Sequence, residues 1–289
     1  MGTALIDTKV VQSNALIKAQ KNMNLNKAKL FRALIAAINT NDPKDYVIVN
    51  RRELIDVFDK TSTSTYGPLK DAFKSLKEND GITVVDSNGN MAEINLIKMA
   101  VWNIKGEPEV LKQEKNYISI EGSLLPEGVE LSEYDVFVQF EERLMPHLIH
   151  LKTNFTQYYL SEIMQLQSCY SILLFEYLMM IINKYKAHVI EISLDSLRAV
   201  FKIEDDKYIE FRDFNKRILK PTTEELTRKT NIWVTFDTEK RNRKVDKIIF
   251  YVLPLDFYHA PHGSVSERQE HVKKVCLNTE YEVGKITMR

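Results

Sequence analysis

The sequence predicts an α+β fold assembled from two copies of one unit, and three observations carry that expectation. An order of apolar helical runs, short β-like runs and polar turns occurs twice along the 289 residues. Each copy closes on two β-like runs joined by turn-forming residues. The basic residues lie in stretches rather than scattered, although 40 basic residues are balanced by 40 acidic ones.

The first copy opens on the helical run FRALIAAIN and the β-like YVIV, followed by RRELIDVFDK. The polar TSTST comes next, then YGPLKDAFKSLKEND and the β-like ITVV. The second copy repeats the order with LLFEYLMMIINKY, HVIEIS, DSLRAVFKI, EDDKY, YIEFRDFNKRILKPTTEELTRK and IWVTFD. The register holds almost without gaps. Val47 and Val189, Tyr66 and Tyr208, Leu69 and Phe211, and Leu76 and Ile218 are each 142 residues apart; Leu54 with Leu197 and Phe58 with Phe201 are 143 apart.

Both copies end in a hairpin. In the first, ITVV and MAEINLIKMAVWNI flank Ser87-Asn88-Gly89-Asn90, whose Asn-Gly pair suits a tight turn. In the second, NIWVTFD and VDKIIFYVL flank the basic TEKRNRK. Three helices with an appended β-hairpin make the winged variant of the helix-turn-helix. Two such domains in tandem are therefore expected, over 1–148 and 149–256, with 257–289 as a peripheral or mobile tail. The stretch from Lys105 to Lys152 holds three prolines and the β-like NYISI and VFVQF, and reads as a structured extension of the first domain plus a connector.

Composition narrows the function. Two cysteines, Cys169 and Cys276, supply neither a disulfide framework nor a four-ligand zinc site. The most apolar run, Ile172 to Ile182, has eleven residues and contains Glu176, whereas a bilayer span needs about 20. With no signal-like N-terminus, a soluble cytoplasmic protein without membrane contact is expected. Phosphate-binding glycine motifs are absent, and His147 and His150 lack the spacing of a metal pair. Neither catalytic residues, nor a metal, nor a cofactor is expected.

Charge is segregated. Lys9 to Arg32 holds six basic residues and no acid; Val101 to Glu142 holds three basic and ten acidic; Arg212 to Lys247 holds eleven basic and six acidic. In the second domain the helix expected from Tyr208 to Lys220 puts Phe211, Phe214 and Ile218 on one side. Arg212, Asp213, Lys216, Arg217 and Lys220 lie on the other, with Lys207 just ahead of the helix. A helix that reads a DNA major groove needs donors on one face and packing on the other. Asn215 and Thr223 are further candidates for polar base contacts. Pro221 is expected to kink or end this helix. The wing tip adds Arg241, Arg243 and Lys244, more charge than a turn requires, and phosphate is the natural partner. In the first domain, Thr63 and Ser64 stand in a hydroxyl run ahead of a helix carrying Tyr66, Lys70 and Lys74, suited to phosphate or base edges.

The segments NFTQYYLSEIMQLQSCYSILLFEYL, ISLDSLRAVFKI and YIEFRDFNKRILKPTTEEL, with the opening VVQSNALIKAQKNMNLNKAKLFRALIAAI, resemble the initiator (Rep) proteins of theta-replicating bacterial plasmids. The similarity runs from about Val10 to Pro254. It implies paired winged-helix domains that bind directly repeated origin sequences (iterons) on double-stranded DNA. It further implies loading of host replication proteins such as the helicase or the host initiator, and repression of the protein's own promoter as a homodimer. Under that resemblance the helix around Arg212 to Lys220 is the major-groove reader of the second domain, and the helix from about Ser64 to Lys77 reads the other end of the repeat. One departure is visible: Leu173 stands where the family pattern has an arginine, three residues ahead of Glu176. Alternatives from the residues alone are a winged-helix transcriptional repressor, a protein-docking module using the acidic middle, and a rolling-circle nicking enzyme. The last wants a His-hydrophobe-His pair, and this chain has HLIH.

Overall fold

The computed structural model describes residues 4–19, 23–58, 66–77, 81–85, 88–102, 121–255, 263–283 and 286–288. The first half holds β1 (Lys9–Ser13), α1 (Asn14–Ala19), α2 (Leu25–Ala36), β2 (Tyr46–Asn50), α3 (Arg51–Phe58) and α4 (Tyr66–Lys77). It continues through β3 (Ile82–Val85), β4 (Met91–Ile94), β5 (Ile97–Trp102) and β6 (Asp135–Phe140). Then come β7 (Phe155–Tyr159), α5 (Leu160–Met164) and the long α6 (Cys169–Tyr185). The second half adds β8 (Val189–Ser193), α7 (Leu194–Val200), a helix α8 built from Phe211–Phe214, Asn215–Leu219 and Lys220–Lys229, then β9 (Ile232–Arg241) and β10 (Lys244–Pro254). It ends on α9 (Val265–Val283) and β11 (Ile286–Met288).

Side-chain caps set the helix starts. Asn24 accepts from the Lys27 N–H ahead of α2, Ser168 from Tyr170 ahead of α6, and Ser193 from Ser196 ahead of α7. The internal repeat appears as structure. Val47 and Val189 sit in matching strands, and Leu54 with Leu197 and Leu76 with Ile218 are buried at matching helical positions.

The sheets differ from the expectation in the first half. MAEINLIKMAVWNI breaks in two: β4 closes the hairpin with β3, pairing Val85 with Met91, while β5 leaves to join the sheet β2-β6-β5. The hairpin closes because Gly81 has no Cβ; one built there would collide with the Ile94 carbonyl oxygen. VFVQF, expected as a β-like piece of the first domain's extension, is β6, the centre of that sheet, with Val136 to Val138 and Phe140 buried. The piece NYISI lies outside the described residues. In the second half the sheet runs β11-β8-β10-β9.

A boundary at residue 148 does not separate two cores. β7 follows it yet pairs antiparallel with β1, Lys9 against Tyr159 and Ser13 against Phe155. One apolar cluster runs from Leu30 and Leu34 on α2 through Phe175 and Leu178 on α6 to Phe201 and Phe214. Inside it Glu176, fully buried, is bound to Arg32 at 2.6 and 3.0 Å, and accepts from Tyr158 Oη at 2.5 Å and Gln12 Nε2 at 2.7 Å. Burial would lower the Arg32 pKa, but Glu176 outweighs it and raises it. The basic stretch Lys9 to Arg32 is therefore not one solvated face: Lys9 and Lys18 are exposed, but Lys27, Lys29 and Arg32 are buried, and Lys29 donates to the Met164 carbonyl at 2.8 Å.

The C-terminal stretch also departs from the expectation of a peripheral or mobile tail. α9 lays Val272 and Cys276, four residues apart, against Val189, Tyr251 and Leu253 on the second sheet. Only a few apolar positions make this seam, which is why its periodicity is faint. Cys169 is half-buried rather than enclosed, and burial pushes its thiol pKa up.

Glu176→Gln removes the charge that holds Arg32 inside the core and should cost about 3–5 kcal/mol in urea unfolding. Arg32→Met combined with Glu176→Leu should recover part of that loss. A single substitution costing under ~1 kcal/mol would show that the pair does not hold α2 against α6.

Candidate nucleic-acid interface

α8 begins at Phe211, not Tyr208; Tyr208 has φ of 51° and sits in the turn ahead of the helix, where its carbonyl accepts from Arg198 at 2.8 Å. Nor does Pro221 end the helix, which runs on to Lys229. Proline lacks an N–H and crowds the carbonyl four residues back. Here the turn just ahead, Asn215–Leu219, widens to π-helix, with the Lys220 N–H reaching the Asn215 carbonyl. The helix absorbs the proline by loosening one turn.

The packed face of α8 is as expected. Phe214, Ile218 and Leu219 are buried, and Phe214 stacks edge-on against Phe201 with centroids 5.9 Å apart. Arg212, Asp213, Lys216, Arg217 and Lys220 are exposed. Arg212, Lys216 and Arg217 have no carboxylate partner among the described residues, so their charge is uncommitted. Lys220 lies 3.9 Å from Glu224, and Lys207, also exposed, is paired with Glu204 at 2.7 Å. Two candidates are withdrawn from the face. Asn215 is half-buried with an enclosed Oδ1 that has no hydrogen-bond partner. Thr223 is buried and turns its hydroxyl back to the Leu219 and Lys220 carbonyls, at 3.1 and 2.9 Å. A short polar side chain mid-helix often makes this bond to its own backbone.

The C-terminal half of α8 is pinned. Glu225 accepts from Ser171 Oγ at 2.5 Å, the Gln167 N–H at 2.9 Å and Lys229 Nζ at 2.8 Å. Burial would raise its carboxyl, but these three donors outweigh it and hold the pKa below the ordinary carboxylate range. The Val234 N–H donates to Thr227 Oγ1 at 3.0 Å, and that hydroxyl donates to the Val234 carbonyl at 3.1 Å. α8 and β9 run in opposite directions from this pin. Arg212 lies fifteen residues back along the helix, or ~22 Å at 1.5 Å per residue. Arg241 lies seven residues forward along the strand, or ~24 Å at 3.4 Å per residue. Helix and strand thus extend by similar lengths from the pin, one back to Arg212 and the other on to the wing tip.

The wing is a two-residue hairpin. Asn242 and Arg243 both have positive φ, 52° and 66°, and Arg241 pairs with Lys244 across the turn. Two central residues with φ > 0 make a type I′ turn. Lys240, Arg241, Arg243 and Lys244 are all exposed, with no carboxylate partner among the described residues.

In the first half α4 packs Leu69, Ala72, Phe73 and Leu76 inward, leaving Lys74 and Lys77 exposed and Lys70 half-buried beside Trp102. Thr63 and Ser64 lie outside the described residues, as does the side chain of Tyr66, which opens α4. The first wing differs sharply from the second. Its described residues carry Glu93 and no cation, and Val85 and Met91 are exposed near its tip. His147 meets Ser13 Oγ at 2.9 Å, a contact that ties the start of α1 to the loop before β7. Among the described residues no three metal-ligating side chains converge, and no helix is long and apolar enough to cross a membrane.

Comparison with known proteins agrees with this layout. A family model described as initiator replication protein, WH1, matches residues 9–179, and one described as initiator Rep protein, WH2, matches 193–252. A replication initiation protein of Escherichia coli is 34% identical over 115 residues, covering 39% of this chain and 35% of that protein. The match thus spans about a third of that relative. The crystal structure of Pi initiator protein in complex with iteron DNA shares the fold, with a TM-score of 0.62 over 86% of this chain and 98% of that one at 19% identity.

Arg243 occupies a left-handed position that costs a residue with a Cβ about 1–2 kcal/mol. Arg243→Gly should therefore raise stability by ~1 kcal/mol in urea unfolding. No gain would mean that Arg243 sits in the turn without strain.

Proposed function

The chain belongs to the initiator replication protein family, with both of its winged-helix domains, and from that membership we propose that it starts plasmid replication by binding directly repeated origin DNA. One observation carries the reading. The three uncommitted cations Arg212, Lys216 and Arg217 stand on the exposed face of a helix pinned at its other end, and the wing of the same half adds four exposed cations. A duplex seated on α8 would meet donors in its major groove and phosphate-binding charge beside it. The solved Pi initiator is in complex with iteron DNA, which supports direct repeats as the target. In this reading the chain acts by binding rather than by breaking DNA. It engages host replication proteins and, as a homodimer, its own promoter. Footprinting on DNA flanking the gene tests the reading: protection of spaced direct repeats is expected, and protection of a lone operator would favour a plain repressor. Supercoiled origin DNA incubated with the protein and divalent metal should stay intact; nicking would overturn the binding-only role.

Arg212→Ala or Arg217→Ala should cost about 1–3 kcal/mol against the cognate repeat and relax preference at one base position. Arginine can bond guanine O6 and N7 together with its planar fork. If both variants keep full discrimination among single-base variants of the repeat, α8 does not read sequence.

Changing Arg241, Arg243 and Lys244 together to Ala should weaken all duplexes alike and flatten the salt dependence by about one unit for each phosphate that is no longer neutralised. An unchanged salt slope would mean that the wing faces solvent.

A further inference from the structure

α9 lies beyond the residues that either family model matches, and it covers the face of the second sheet opposite α6, α7 and α8. A groove of about 640 Å³ opens between α8 and α9, with the edge strand β9 as its floor. Val234 turns its N–H and carbonyl outward to Thr227, so by strand alternation the Phe236 N–H points outward too. No strand pairs on that side among the described residues.

Four cations reach the groove: Lys220 and Arg228 from α8, Arg268 and Lys273 from α9. Its two carboxylates are each held by a lysine, Glu224 by Lys220 at 3.9 Å and Asp237 by Lys273 at 2.6 Å. Arg228 and Arg268 are left with no carboxylate among the described residues. The Arg268 guanidinium lies over the Trp233 ring, 5.3 Å from its centroid, and its Nε is enclosed without a hydrogen-bond partner. The site is thus a basic trough, with two uncommitted guanidiniums and an outward backbone N–H.

We propose that this groove takes the phosphate backbone of the bound duplex, held by Arg228 and Arg268, as a third DNA contact beside the reading helix and the wing. The inference rests on the DNA-binding reading above and extends it to α9. Lys220 joins the two surfaces: it stands on the exposed face of α8 with Arg217 and on the rim of the groove. A duplex on α8 therefore brings its backbone to this rim. Phosphate suits the donors, since guanidinium forks and strand N–H groups both bond its oxygens.

The test measures affinity against salt concentration on a repeat duplex and on a scrambled duplex of equal length. Arg228→Ala with Arg268→Ala should weaken both alike and flatten the salt slope by about two units, one for each phosphate released. Arg228→Ala alone, at an exposed position that α9 does not need for packing, should flatten it by about one. Slopes equal to wild type in both variants would overturn the groove, as would a selective loss of preference for the repeat. A wild-type chain without repeat preference would instead sink the origin-binding reading. The scrambled duplex still reports the groove in that case.

Discussion

A buried carboxylate sets the terms for the rest of the molecule. Glu176 sits inside the apolar cluster, and its partners Arg32, Tyr158 and Gln12 come from α2, β7 and β1. A charge in such a place is tolerated only when paired and fully hydrogen-bonded, so these elements must all arrive for any of them to be stable. From α6 the same logic passes outward through a series of specific polar pins. Ser171 holds Glu225 on α8, Thr227 on α8 holds Val234 on β9, and Asp237 on β9 holds Lys273 on α9. Apolar packing alone would leave these elements free to slide by a turn. Hydrogen bonds of defined geometry fix their register, and with it the placement of Arg212, Arg217 and the wing.

The sequence showed the parts that follow from periodicity and turn chemistry. The offset of 142–143 residues returned the matching strands and helices, and the spacing of Phe214 and Ile218 returned the buried face of α8. What it hid depends on three-dimensional partners. Lys27, Lys29 and Arg32 look like a basic surface in one dimension because nothing local reveals that Glu176, 144 residues on, awaits Arg32. Asn215 and Thr223 fall where polar side chains could face a groove, yet burial and a self-bonding hydroxyl remove them from it. Pro221 carries a local rule that normally stops a helix, and residue type alone does not reveal the π-helical turn that evades it.

The two halves repeat in fold but divide the chemistry. The second wing has four exposed cations at a type I′ tip, whereas the described residues of the first carry only Glu93, with Val85 and Met91 exposed. A basic tip suits phosphate; a tip whose described residues carry no cation gains nothing from a polyanion's charge. On the proposed DNA-binding reading, the electrostatic share would fall mostly to the second half, and the first half would contribute through α4, whose Lys74 and Lys77 are exposed.

On the proposed reading, that division lets a chain with no net charge meet a polyanion. At physiological salt, screening confines electrostatic attraction to about 8 Å, so a ligand responds to the patch it touches and not to the total. The ten acids between Val101 and Glu142 offset the basic excess of Arg212 to Lys247 in the sum, while Arg212, Lys216, Arg217 and the wing cations have no carboxylate partner among the described residues. A uniformly basic chain would cling to any duplex by any face. On the proposed reading, with the charge concentrated on α8 and its wing, an encounter that holds long enough to test sequence is one in which α8 points at the groove.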